Sequence, residues 1–125
     1  MPVSVIINNR EVHVLTIREY FNKRREAWNI YTYIKYILCL YIKHNILETS
    51  PLEIACIINE LADYEKRKKS NTLKMILHIL ETVVKGRKLY DGMWINTWKI
   101  HAAIREFVRE IEREGVENVL KKYLI

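Results

Sequence analysis

Ile30-Tyr31-Thr32-Tyr33-Ile34-Lys35-Tyr36-Ile37-Leu38-Cys39-Leu40-Tyr41-Ile42 is the most apolar run of the chain, and Lys35 is its one charge. At about 13 residues it is shorter than the roughly 20 that span a bilayer. Ile34, Ile37, Leu38 and Tyr41 recur at helical spacing. The run therefore predicts a buried central helix, either continuous with the helix before it or broken at Asn29.

On the N-terminal side, Thr16 can cap a helix while Glu19, three residues on, returns the bond. Ile17, Tyr20, Phe21 and Trp28 make its apolar stripe. Arg18, Asn22, Lys23, Arg25 and Glu26 make its solvated side. Before it, Val3, Val5 and Ile7 and then Val12 and Val14 alternate with other residues around Asn8-Asn9, a pair that suits a tight hairpin turn. Pairing across that turn sets Val5 opposite Val12 and Val3 opposite Val14.

On the C-terminal side, Ile46-Leu47-Glu48 is a short extended candidate. Ser50-Pro51-Leu52-Glu53 carries a capping Ser, Pro at the first helical position and Glu at the third. Ile54, Ile57, Ile58 and Leu61 follow on its buried face, then the basic connection Lys66-Arg67-Lys68-Lys69. Ser70 or Asn71 caps a helix with Leu73, Ile76, Leu77, Leu80 and Val84 on one side and Gly86 at its end. Lys88-Leu89-Tyr90 and Met93-Trp94-Ile95 flank Asp91-Gly92, a strong hairpin signal. Asn96 can cap a helix bearing Ile100, Ile104, Phe107, Val108 and Ile111, closed by Gly115. A last helix carries Val119, Leu120, Tyr123 and Leu124.

Half of the 125 residues are hydrophobic, enough for a core, while only three Gly and two Pro interrupt the chain. The net charge of +6 attracts polyanions. Two cysteines, Cys39 and Cys56, sit in apolar helical patterns without ligand-spaced partners, so both read as core thiols in a reducing compartment. No signal-peptide pattern is present, and the expected location is intracellular and cytoplasmic, without a membrane partner. The absence of Gln and the wealth of Ile, Lys, Arg and Glu suggest a thermophilic source.

The order helix (31–44), extended piece (46–48), helix (51–63), helix (71–85) and hairpin (88–95) resembles a winged helix-turn-helix DNA-binding domain of the archaeal or archaeal-virus type. Pro51-Leu52-Glu53-Ile54-Ala55 is similar to the start of that family's second helix, where a small residue such as Ala55 permits close packing. Ser70-Asn71-Thr72-Leu73, with Leu77, Leu80, Glu81 and Gly86, is similar to its recognition helix. The likeness covers residues 31–95. It implies a fold that is mainly α with short β-hairpins, in one domain over residues 1–125. Within it, residues 1–15 form the N-terminal hairpin, 16–96 the helical core with its wing, and 97–124 the C-terminal helices.

The resemblance also implies a site. The third helix would enter the major groove of double-stranded DNA with Asn71, Thr72, Lys74, Met75 and His78 turned outward. Asn71 would pair with an adenine edge, Thr72 would touch a base or phosphate, and Lys74 would anchor a phosphate. Simple helix capping competes for Asn71. Lys66, Arg67, Lys68, Lys69, Arg87 and Lys88 would neutralise nearby phosphates. Tyr31, Tyr33, Tyr36, Tyr41, Trp94 and Trp98 can stack bases, although rings at helical spacing are more often core.

Catalysis is not expected. His13, His44, His78 and His101 are scattered, no glycine-rich phosphate loop is present, and no cofactor or metal is implied. Glu106, Glu110, Glu112, Glu114 and Glu117 alternate with Arg105, Arg109, Arg113 and Lys121, which predicts a solvated, ion-paired helix surface. The function expected is a DNA-binding transcriptional regulator, acting as a homodimer through helices 16–28 and 97–124. The alternative is a structural or interaction protein: a nucleoid or virion component coating nucleic acid, or a helical adaptor.

Overall fold

The computed structural model describes residues 3–7, 9–24, 29–45, 74, 78–80 and 97–124. These residues are mainly helical, with one small antiparallel hairpin. Strands β1 (Val3–Ile7) and β2 (Arg10–Val14) pair with Val5 opposite Val12 and Val3 opposite Val14, the register that the alternation predicts. Ile7 faces Arg10, which leaves a two-residue connection, and Asn9 takes φ 61 there. Asn enters that left-handed region more readily than most side chains. Val5, Ile7, Val12 and Val14 are buried, whereas Ser4, Glu11 and His13 face out. A lone hairpin is marginal in water. This one is held by its packing on the central helix.

Leu15 and Thr16 lead into α1 (Ile17–Arg24). Two tyrosines of the central helix satisfy both backbone groups of Leu15: its N–H donates to the Tyr36 hydroxyl at 3.0 Å, and its carbonyl accepts from Tyr33 at 2.7 Å. The reciprocal cap forms as read from the sequence. The Glu19 amide donates to Thr16 Oγ1 at 3.3 Å, and the Glu19 carboxylate accepts from the Thr16 hydroxyl at 2.9 Å. That hydroxyl bond holds the Glu19 carboxyl below its usual 4.5. Ile17, Tyr20 and Phe21 are buried while Arg18, Asn22 and Lys23 are exposed.

The central helix α2 (Ile30–Asn45) has its own start. Asn29 accepts the Tyr31 N–H on Oδ1 at 2.9 Å, and its carbonyl accepts from Thr32 at 3.1 Å. The apolar run is therefore a helix begun at Asn29 rather than a continuation of α1, an alternative that periodicity left open. Every residue from 33 to 40 is buried, so α2 is enclosed around most of its circumference. Each fully buried side chain such as Ile37 or Leu38 contributes about 1.5–3 kcal/mol over its exposed state.

Helices α3 (Thr97–Glu114) and α4 (Val116–Tyr123) pack on α2 and on each other. Ile100, Ile104, Phe107, Val108 and Ile111 of α3 and Val119 and Tyr123 of α4 are buried, as their spacing predicts. Gly115 separates the two helices with φ 87 and ψ 155, a region almost closed to other residues. Its N–H closes α3 on Ile111 and its carbonyl accepts from Val119 in α4. Ile79 and Leu80 belong to the same buried cluster as the hairpin and all four helices. Among the described residues no helix is long and apolar enough to cross a membrane.

Candidate nucleic-acid interface

Of the residues expected to meet DNA, Lys74 and His78 fall among those described. Both are helical and exposed. Both belong to the polar edge that the apolar spacing predicts for a helix over 71–85. Leu80, on the predicted apolar stripe, is buried, and so is Ile79, which that stripe omits. Lys66, Arg67, Lys68, Lys69, Asn71, Thr72, Met75, Arg87 and Lys88 lie outside the described residues. So do the second helix at 51–63, the Asp91-Gly92 turn, Cys56 and Trp94.

The aromatic residues divide by position. Tyr33 and Tyr36 are buried, and with Tyr20 they form a cluster in which Tyr20 stacks on Tyr36 at 4.4 Å between ring centroids. Their rings are core and their hydroxyls hold backbone, so neither offers a face to a base. Tyr31 and Tyr41 are half-buried against the same core. Cys39 is enclosed between α2 and α4, its thiol 3.9 Å from the Val119 carbonyl. Burial, with the charge of Glu110 second, pushes that thiol well above its usual range, which makes it a poor nucleophile.

One cluster was not legible in the sequence. Lys35 and Glu110, expected as an interruption and as part of a solvated surface, are both buried and meet across α2 and α3 at 2.9 Å. The Tyr123 hydroxyl of α4 donates to the same carboxylate, 2.9 Å from Oε1 and 2.7 Å from Oε2. Lys35 also reaches Glu106 at 2.8 Å, and Lys122 lies 4.0 Å from Glu110. The chain of bonds continues into α1: Tyr20 donates to the Tyr123 carbonyl at 2.8 Å, and Arg24 donates to the Tyr20 hydroxyl at 2.6 Å.

The electrostatics of this cluster are coupled to its closure. Burial alone would raise the Glu110 carboxyl; bonds from Tyr123 and Lys35 and the nearby cations outweigh it and hold the group below 4.5. Burial and then the Glu110 bond raise the Tyr123 phenol, so it stays a donor. No buried side-chain nitrogen or oxygen among the described residues lacks a partner. The cluster thus uses its polar capacity internally, tying four helices together. Among the described residues no group of three or more His, Cys, Asp or Glu side chains is placed to hold a metal ion.

The charge is unevenly distributed. Residues 66–88 hold eight Lys and Arg against one carboxylate, Glu81, in a chain whose net charge is +6. Apart from the buried Lys35, the described cations are exposed or half-buried. No protein-family model, no curated protein and no solved structure matches the chain.

Proposed function

We propose that the protein binds nucleic acid, double-stranded DNA foremost, with residues 71–85 as the recognition helix of a winged helix-turn-helix unit over 31–95. The observation that carries this reading is the pairing of exposed Lys74 and His78 with buried Ile79 and Leu80. A helix set that way turns its polar edge outward, inside a molecule whose field favours polyanions. Asn71, Thr72, Lys74, Met75 and His78 would meet the groove. Lys66, Arg67, Lys68, Lys69, Arg87 and Lys88 would neutralise phosphates beside it.

The role is binding rather than catalysis, and no cofactor enters it. Internal satisfaction of the Lys35–Glu110–Tyr123 cluster and enclosure of Cys39 support that reading. A transcriptional regulator in the cytoplasm is the corresponding role. A homodimer built on helices α1, α3 and α4 would use their polar faces, because their buried apolar faces already close the chain's own core.

A second reading, a coat protein that binds any sequence through the backbone, is favoured by exposed cations on described elements away from the proposed recognition segment, Arg10, Lys43, Lys121 and Lys122 among them. Fluorescence anisotropy with a selected duplex and a random one, at two salt concentrations, distinguishes the two. A regulator prefers its site by about 4–10 kcal/mol; a coat protein shows no preference and the same salt slope on both. Neutralising Lys66, Arg67, Lys68, Lys69 and Lys74 together should flatten the slope by about 0.9 per lost phosphate contact. An unchanged slope removes this segment from the interface, and no binding to either duplex rejects the function.

A further inference from the structure

Helix α3 carries two charged ridges of opposite sign, each repeating every four residues: Glu106, Glu110 and Glu114, and Arg105, Arg109 and Arg113. At about 100° per residue, Arg109 lies opposite the centre of the buried face that holds Ile100, Phe107 and Ile111, with Arg105 and Arg113 about 40° to either side. All three arginines are exposed. The acidic ridge lies on the flank that meets α2 and α4. There Glu106 and Glu110 are held by Lys35 at 2.8 and 2.9 Å, and Glu114 by Lys122 at 3.6 Å. Two cross-helix lysines thus engage the three carboxylates that the sequence sets beside the arginines. The outward strip carries the exposed Arg109 and Arg113, Arg105 with an interaction of its own, and the exposed carboxylate Glu112.

We propose that this Arg105–Arg109–Arg113 ridge is a second nucleic-acid contact, a backbone-tracking surface for duplex DNA separate from the 71–85 helix. The inference rests on the nucleic-acid reading above and adds the residues and mode of a further contact. Charge complementarity selects the occupant. Eight residues of α3 rise about 12 Å, which spaces the arginines about 6 Å apart along the helix. One DNA strand carries a phosphate every 3.4 Å or so of its axis, so the ridge faces three to four phosphates. Arginine suits that task because its planar fork binds phosphate bidentately. An anionic membrane fits less well, since the described residues of this face include no large exposed apolar side chain to insert.

The test compares full-length wild type with the triple variant Arg105→Ala, Arg109→Ala, Arg113→Ala by anisotropy on a random duplex between 50 and 200 mM salt. Loss of three phosphate contacts should lower the salt slope by about 2.7, so wild type should lose about 40-fold more affinity than the variant over that range. The triple Arg→Lys variant keeps the charge and should keep the slope. Should the alanine triple fail to fold by circular dichroism, Arg109→Ala alone should lower the slope by about 0.9. Equal slopes for wild type and folded variant overturn the ridge while leaving the 71–85 interface standing. Loss of binding to phosphatidylserine vesicles with DNA binding intact also overturns it. No DNA binding by wild type removes the function and the ridge together.

Discussion

Replacing Lys35 with Met should be among the most damaging single changes in the protein. The Lys35 side chain is 8% exposed and its ammonium is shared by Glu106 and Glu110. Met keeps most of the aliphatic volume, so little cavity forms and the loss is electrostatic. Glu110 is left 11% exposed, with the Tyr123 hydroxyl and a lysine 4.0 Å away as its remaining partners. Breaking a buried pair by removing one member costs about 3–5 kcal/mol. The Tyr123 bond retains some compensation, which sets the expectation near 3 kcal/mol, a large fraction of the roughly 5–15 kcal/mol that stabilises a domain. The sign of the pH effect checks the cause. In wild type the depressed Glu110 group contributes stability above pH 4.5 that is lost as pH falls through its folded value. Without Lys35 burial dominates and the group's folded value rises, so the penalty should shrink as the medium is acidified from pH 7. Urea unfolding at pH 7 and pH 4.5 measures both quantities. The double variant Lys35→Met, Glu110→Leu should recover much of the loss, because it leaves no uncompensated buried charge. A cost below about 1 kcal/mol at pH 7, the scale of a surface pair, would refute the desolvation reasoning.

Three further outcomes are expected. Thr16→Ala should cost about 1 kcal/mol in urea unfolding, since it removes the oxygen that caps the Glu19 amide and a donor to the Glu19 carboxylate. Gly115→Ala should cost about 1–3 kcal/mol from backbone strain alone, because nothing lies within 4 Å of the added methyl; a neutral result would contradict the φ 87 conformation. Burial, then the charges of Lys43 and Arg10, lower the His44 pKa below 6.5. Protonation therefore favours the unfolded chain, and thermal stability should fall as pH drops below 6.5, a slope that His44→Gln should reduce.

The sequence was most legible where one face of an element is apolar and the other polar. Alternation through Val3 to Val14 predicts the register of the hairpin, because slipping one residue would expose Val12 and Val14. Period 3.6 likewise predicts the buried side of α3, and Thr16-x-x-Glu19 its own cap. Lys35 and Glu110 were not legible for a physical reason. A charged residue on a flank of the apolar stripe can be solvated or buried with equal local grammar, and burial requires a partner 75 residues away. Tyr123 had the signal of a core ring, while the use of its hydroxyl depended on Glu110. Of the expected interface, Lys74 and His78 were readable as the polar edge of a helix with Leu80 inside.

The same ambiguity bears on how a basic surface is inferred from composition. Ridges at 105, 109, 113 and at 106, 110, 114 differ by one position, and helix periodicity assigns each a strip without naming its counterions. Read locally, Glu and Arg three or four apart would pair along α3 and cancel, each pair worth about 0.2–0.5 kcal/mol. The tertiary fold selects otherwise, because a carboxylate turned toward α2 meets a desolvated lysine, whose attraction water screens far less than that of an exposed pair. With Lys35 and Lys122 engaging these carboxylates, Arg109 and Arg113 on the opposite side are less cancelled than their sequence neighbours imply. Lys35→Met would therefore act on both surfaces: Glu106, 56% exposed, would regain its charge toward solvent near the arginine strip. If the ridge binds phosphate, the variant that survives folding should bind DNA more weakly than wild type although Lys35 itself touches no ligand, and the double variant with Glu106→Gln should restore the affinity. Equal affinities in all three would show that the interior pairing has no consequence for the surface field.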